Sequence, residues 1–419
     1  MKKIYGLMAL AMGLATLVSC SDDDNKGPAN DGIQVVSAST AVQAVGGSAT
    51  VEVDKTISAA YSTDRWAKVD FDGSKLTATI ERNTSRESRF TNVVIKASDN
   101  DSTIVSLSQL GLVFGYTDGN IVMSNNGGKA AKGVLANSAF SVAEAPDWIS
   151  TTTTADSVYL DVAKNETGDM RRGLVCLESG EYRDTLYVTQ ASFNEGIAGS
   201  NYRFYFYYCP IQNGQITGMQ LTYDEAEIYE FGATKCISLN QLGYIMDCDY
   251  DEDNLMLTFQ SAQQVGRYSQ YYPVYQVLVN DNLQFNWGKE STGAFVFGID
   301  DVDGTPVKFG SFTGYMMGDD MGSPAEDITG TEPFGFLYVM AQGKPLSDDT
   351  AMSLMYLFLQ PTIIDVSNVQ AAAKATAEME ARLTPARKAR YMKMAQAQLF
   401  AKHLSGNFEG EIPALKIQK

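Results

Sequence analysis

Alternation of apolar and polar positions runs through most of the chain from residue 34 to residue 365. Leu76-Thr77-Ala78-Thr79-Ile80 and Val158-Tyr159-Leu160-Asp161-Val162 keep an apolar side chain at every second position, the period of a strand with one face buried. Both stretches belong to an internal repeat. Gly46-Gly47, Trp66, Asn83, Arg89 and Gln109 recur as Gly127-Gly128, Trp148, Asn165, Arg171 and Gln190, with 17 residues from Trp to Asn and 6 from Asn to Arg in each copy. Short strands at this spacing, punctuated by Gly, Asn and Asp, predict two β-sandwiches, over 34–111 and 112–193.

After a glycine-containing linker at Asn194 to Ser200 the pattern changes. Tyr202-Arg203-Phe204-Tyr205-Phe206-Tyr207-Tyr208 is aromatic on both alternating faces, which suits a strand covered on both sides. Further strands are expected within 226–231, 255–259, 274–279, 294–297, 307–312, 334–340 and 352–359, with turns at Asn213-Gly214 and Asp303-Gly304. The stretch 194–365 therefore reads as a β-rich ligand-binding domain, a barrel or a larger sandwich. From Ala371 to Leu404 the composition shifts to Ala, Lys, Arg, Met and Gln, and Thr384-Pro385 supplies a cap and a first helical residue. The expected fold is all-β and multidomain, with a helical basic tail over 366–419; seven basic and two acidic residues lie between Val366 and His403.

At the N-terminus Lys2 and Lys3 precede an apolar run from Ile4 to Val18 that is too short for a permanent membrane helix and reads as a secretory signal, 1–19. Ser19-Cys20 resembles the end of a bacterial lipobox, and Ser21-Asp22-Asp23-Asp24 resembles the acidic export signal of Bacteroidota lipoproteins. These resemblances imply lipidation at Cys20 and an outer-membrane anchor with the chain on the cell surface. Residues 20–33 are a polar, breaker-rich spacer.

The repeat also resembles a known domain. A double-glycine turn, Asp64-Arg65-Trp66 or Asp147-Trp148, Asn83-Thr84 or Asn165-Glu166-Thr167, an arginine-led strand and a closing Gln are similar to the BACON domain, over roughly 34–193. That family is immunoglobulin-like and stands at the front of many Bacteroidota surface lipoproteins and glycan-degrading enzymes. The resemblance implies either a spacer or a module that binds carbohydrate or mucin. Trp66 and Trp148 read as core residues between two sheets, with a sugar platform as the alternative. Arg89 and Arg171 read as braces of the sandwich, and Cys176, aligned with Val94, as a small strand residue.

Charge and chemistry narrow the function. The net charge is −18, and loss of Lys2 and Lys3 with the leader makes the mature chain more acidic, which argues against nucleic acid or an anionic membrane surface as partner. The single histidine, His403, lies in the tail, so Ser-His-Asp, Cys-His and multi-histidine zinc chemistry would all have to rest on it. Cys176, Cys209, Cys236 and Cys248 are spaced too widely for a C-x-x-C motif and permit at most two disulfides. Asp247, Asp249, Asp251 and Asp253 alternate in a run that suits either a solvated acidic turn or calcium, without the EF-hand glycine and glutamate. Glu225-Ala226-Glu227-Ile228-Tyr229-Glu230 faintly resembles the catalytic strand of family 16 glycosidases, the basis for a glycosidase reading. The stronger candidates are Tyr271, Tyr272, Tyr275, Asn286 and Trp287, rings beside amides, the pairing that holds a sugar. The expected function is non-catalytic capture of a glycan, with a protein partner, engaged through the basic tail, as the alternative.

Overall fold

The computed structural model describes residues 32–212, 215–317, 328–382 and 384–395. Cys20, the leader, most of the spacer and His403 lie outside them. Two compact units divide at Leu112/Val113.

The first unit holds β1 (Val35–Ser39), β2 (Ala41–Val42), β3 (Gly47–Val53), β4 (Ala59–Ser62), β5 (Ala67–Asp72), β6 (Lys75–Ile80), β7 (Arg89–Ser98) and β8 (Asp101–Gln109). Two four-stranded sheets, β1-β3-β6-β5 and β2-β8-β7-β4, close over Val51, Leu76, Val93, Ile95 and Leu107. The second unit begins with β9 (Phe114–Tyr116), β10 (Ile121–Ser124), β11 (Gly128–Ala136), β12 (Ser141–Glu144), β13 (Ile149–Thr153), β14 (Ser157–Val162), β15 (Arg171–Ser179) and β16 (Tyr182–Ala191). Its sheets, β13-β14-β11-β9 and β10-β16-β15-β12, reproduce the first sandwich strand for strand, down to a parallel edge pair, β2 with β8 and β10 with β16. Both are immunoglobulin-like sandwiches.

The repeated residues explain why the two copies fold alike. Gln109 and Gln190 are buried, and each accepts at Oε1 from the Nε of its arginine, Arg89 or Arg171, at 2.8 Å. The same guanidinium donates to a strand-end carbonyl, Glu81 at 2.9 Å or Ala163 at 2.7 Å, and lies over the tryptophan ring, 4.3 Å from Trp66 or 4.1 Å from Trp148. Asn83 and Asn165 tie the following turn to carbonyls of Glu87 and Asp169. Gly46 and Gly127 take positive φ where a Cβ would meet the carbonyl oxygens of Ile80 and Val162. Burial holds Arg89 and Arg171 below the ordinary arginine value. These side chains form a polar clasp across the sandwich, and the two indoles serve as packing surfaces for it.

The rest of the second unit is a barrel. Its strands are β17 (Gly199–Gln212), β18 (Gln215–Ile216), β19 (Gln220–Phe231), β20 (Thr234–Leu239), β21 (Tyr244–Asp251), β22 (Met256–Gln260), β23 (Gln263–Ser269), β24 (Tyr272–Asn280), β25 (Thr292–Val302), β26 (Thr305–Tyr315), β27 (Pro333–Ala341) and β28 (Ala351–Asp365). The path β17-β19-β20-β21-β22-β25-β26-β28 closes on itself through β28 and β17, which makes eight strands. Of the two architectures open for 194–365, the structure is the barrel. Phe204, Phe206, Phe295, Phe336, Tyr338 and Phe358 fill its interior, so it is a packed core and not a pore. β27, β24 and β23 extend the wall from the edge of β28 that also carries β26.

No flexible linker separates sandwich from barrel. Met170, Ala191, Phe193 and Ile197 belong to the same buried cluster as Tyr202 and Phe297, and Phe193 packs on Tyr250 at 5.5 Å. Arg172 donates to the Ile299 carbonyl at 2.5 Å, and Lys308 reaches Asp169 at 3.0 Å and Asp365 at 3.3 Å. The expected linker at Asn194 to Ser200 is corrected to a packed connection, because its Ile197 is fully buried.

Two helices follow, α1 (Val369–Arg382) and α2 (Pro385–Ala395). Thr384 caps α2, its Oγ1 accepting from the Arg387 amide at 3.3 Å. Ala371 and Ala372 seat α1 on Tyr205, Val307 and Ile364, while Tyr391 seats α2 on Phe334. The basic tail meets the barrel's own acids, Arg390 with Asp281 at 3.2 Å and Lys374 with Asp303.

Candidate functional site

The residues singled out in the sequence do not converge. Tyr271 is 72% exposed at the tip of the β23–β24 hairpin, whereas Asn286 and Trp287 follow the far end of β24. A nine-residue strand separates them, roughly 30 Å at about 3.3 Å per residue. Tyr275 is buried on one face of β24 with Val277 and Val279, and Tyr272 packs toward the barrel interior on the other. Trp287 packs on Phe285 and donates to Asp348 Oδ1 at 2.6 Å; Asn286 donates to the Met317 carbonyl at 2.6 Å. Of the five, only the Tyr271 ring stands free of the core, so the proposed cluster is corrected to two separate packing sites and one exposed ring.

Asp247, Asp249 and Asp251 lie on β21, a strand where a turn was expected, and alternation sets the first two in a row on its exposed face. Asp251 caps the next turn, accepting from the amides of Asp253 at 3.1 Å and Asn254 at 3.2 Å. Extended backbone spreads these carboxylates along the wall. Among the described residues no group of three His, Cys, Asp or Glu side chains is placed to hold a metal. Glu225 and Glu230 lie on β19, where Glu225 pairs with Arg203 at 3.1 Å and Glu230 with Lys235 at 2.7 Å. Cys176, Cys209, Cys236 and Cys248 are all buried free thiols, and burial pushes Cys209 and Cys248 well up.

A cleft does form elsewhere, at a place with a weaker sequence signal. One edge of β28 pairs with β27 as far as Leu359 opposite Gly335, and with β26 only from Thr362 opposite Ser311. Gln360 and Pro361 lie between, and the register against β17 slips at the same point. Pro361 has no N–H to offer a ladder, and Gln360 adopts a left-handed φ of 49°, rare for a residue with a Cβ. The bulge lets the wall branch. Gly335 keeps β27 tight against β28, since a Cβ there would sit 2.2 Å from the Phe358 carbonyl oxygen.

The branch leaves a gap of about 280 Å³ lined by Tyr207, Phe312, Glu332, Phe334, Gln360 and Thr362, among others. Phe312 stands edge-on to Phe336 at 4.9 Å, and Phe334 has one face stacked on Tyr391 at 5.3 Å. The Tyr207 hydroxyl donates to the Met379 carbonyl, so α1 borders the same opening. Among the described residues, the Glu332 carboxylate and the Gln360 amide have no hydrogen-bond or ion-pair partner. Two rings and two free polar groups thus meet at one seam. The Gln360-Pro361 interruption of an apolar strand was the available signal, because proline inside a strand marks an edge or a bulge.

A second cleft, of about 560 Å³, lies where the second sandwich meets the barrel. Asn125, Lys164, Glu166, Glu195 and Glu252 line it and no aromatic ring does. Asn165 donates to Asn125 there at 2.9 Å, and Asn125 donates to Ser192 at 3.3 Å and Glu195 at 3.1 Å, so its amides tie the sandwich to the connecting segment.

No family model and no curated protein matches this chain. Among solved structures, the I9-I11 tandem of titin matches at 9% identity and TM-score 0.28, covering 54% of this chain and 94% of that one. A chimeric titin Z1Z2 matches at 10% identity and TM-score 0.24, covering 38% and 96%. An endo-fucoidan hydrolase of glycoside hydrolase family 107 matches at 7% identity and TM-score 0.18, covering 32% of this chain and 28% of its own. At these scores the likenesses carry nothing about function, and the immunoglobulin-like architecture stands on the strand orders of the two sandwiches.

Proposed function

We propose that this protein is a surface lipoprotein, anchored in the outer membrane through Cys20, that captures a glycan without cleaving it. The observation that carries the reading is the seam of the barrel, where ring faces and unpartnered polar groups meet in one cleft. Sugars present apolar ring faces and hydroxyls together, and a site for them needs both kinds of surface. The non-catalytic part draws support from Glu225 and Glu230, whose carboxylates are engaged by Arg203 and Lys235. The clasp in each sandwich supports a spacer role for the repeats, since their tryptophans pack under arginines. The test is a glycan-array screen of a soluble chain from Ile33 beside one from Val113, with chromatography of the bound glycans. Binding by both without shortened products is expected; silence from both folded chains refutes capture, and shortened products refute the non-catalytic part.

A further inference from the structure

We infer that the seam cleft is a subsite for one uncharged sugar ring, with Phe312 and Phe334 as ring surfaces and Gln360 and Glu332 as the groups that meet its hydroxyls. The inference rests on the glycan reading above and assigns it residues and a ligand class. Size is the first argument. About 280 Å³ lies just below the range of small-molecule sites, about 300 to 1,000 Å³, so the gap suits one ring and not a folded oligosaccharide.

Charge is the second argument. Glu332 is the one charged side chain among the lining residues, with no lysine or arginine, and the whole chain is strongly acidic. A uronate or a sulfated sugar would meet a carboxylate with no cation to answer it. A neutral hydroxyl donates to that carboxylate, and the Gln360 amide can both donate and accept.

Backbone conformation is the third. Gln360 holds a left-handed φ that glycine would adopt without strain, and its side chain bonds nothing among the described residues. Strain retained at a cleft by a residue with a free side chain points to work for that side chain. Pro361 fixes the backbone beside it.

The experiment titrates the chain from Val113 to Lys419 with the methyl glycosides of glucose, galactose, mannose and N-acetylglucosamine, and with glucuronate and galactose 6-sulfate. Variants are Gln360→Gly and Glu332→Gln, with Tyr271→Ala as control. At least one neutral glycoside is expected to bind, to lose tenfold or more in affinity with Gln360→Gly and severalfold with Glu332→Gln, and to be unaffected by Tyr271→Ala. Gln360→Gly should melt no lower than the parent, which separates lost binding from lost folding. Affinity within twofold of the parent in both cleft variants overturns the site while glycan capture stands. Tighter binding of the anionic sugars overturns the ligand class. Failure of every sugar here, together with silence on the array, overturns both readings.

Discussion

Replacing the clasp glutamines by methionine keeps side-chain length and removes both polar ends. In Gln190→Met the Arg171 Nε loses its acceptor at 2.8 Å and the Ser124 carbonyl loses a donor at 3.3 Å, whereas the Ala163 carbonyl keeps Arg171 at 2.7 Å. A hydrogen bond to a charged group is worth about 1.5–3 kcal/mol, and the Ser124 carbonyl still accepts from the Gly127 amide at 3.2 Å, so the loss is about 2 kcal/mol. Gln109→Met removes the equivalent bond to Arg89 and donors to the Gln43 and Ala44 carbonyls, for a loss of similar size. The two losses fall on different units, each with its own core. A unit of about 80 residues shifts by roughly 4–8 °C per kcal/mol and a larger one by roughly 2–4 °C. Calorimetry of the soluble chain should therefore show Gln109→Met lowering one transition by roughly 8–16 °C, and Gln190→Met lowering the other by roughly 4–8 °C. A loss below about 1 kcal/mol in both variants would refute the clasp as a stabilising device. An unmoved barrel signal in Gln190→Met would refute the fusion of sandwich and barrel.

Other outcomes follow from the same structure. A chain starting at Asn194 lacks Met170, Ala191 and Phe193 from the barrel's buried cluster, and should be insoluble or lack near-ultraviolet circular dichroism where the chain from Val113 has both; a folded, monomeric product would show that the barrel stands alone. Phe193→Ala in the longer chain should cost about 3–5 kcal/mol in urea unfolding. Asp224 is buried and its pKa is raised, by desolvation first, despite accepting from the amides of Gln241 and Leu242. The folded state then holds the proton more tightly than the unfolded one, so this group's contribution is lost as pH rises from the ordinary aspartate range through the raised value. Asp224→Asn should flatten that part of the stability–pH curve while losing the acceptor for one of the two backbone amides; a steeper curve would contradict the assignment. Thiol titration of the chain from Ile33 should find none of four cysteines reacting quickly in the native state and all four after unfolding; fewer than four would reveal a disulfide.

The sandwiches were legible because their constant residues are also the ones that carry the clasp. Arg89 touches both Trp66 and Gln109, and Asn83 ties the turn that leads into Arg89, so their spacing cannot drift without breaking these contacts. Thr384-Pro385 was legible for a local reason, since a cap acts within one turn. The barrel was legible as strands but not as a closed path, because closure depends on β28 meeting β17 across more than 140 residues. β21 read as an acidic turn because its buried face, Tyr244, Met246 and Cys248, is masked by aspartates on the other. The aromatic cluster is not legible as a site because adjacency along β24 is not adjacency in space: alternation sends Tyr272 and Tyr275 to opposite faces. Glu332, Phe334 and Gln360 meet only through the branch in the wall, and nothing local announces that meeting beyond Pro361.

The most direct test of capture at the seam is hydrogen exchange of the chain from Ile33, with and without a saturating glycan found by the array. Added protection within 309–314, 331–336 and 358–363, with the first unit unchanged, is the predicted result. Protection confined to the sandwiches, or to the Tyr271 hairpin, would contradict it.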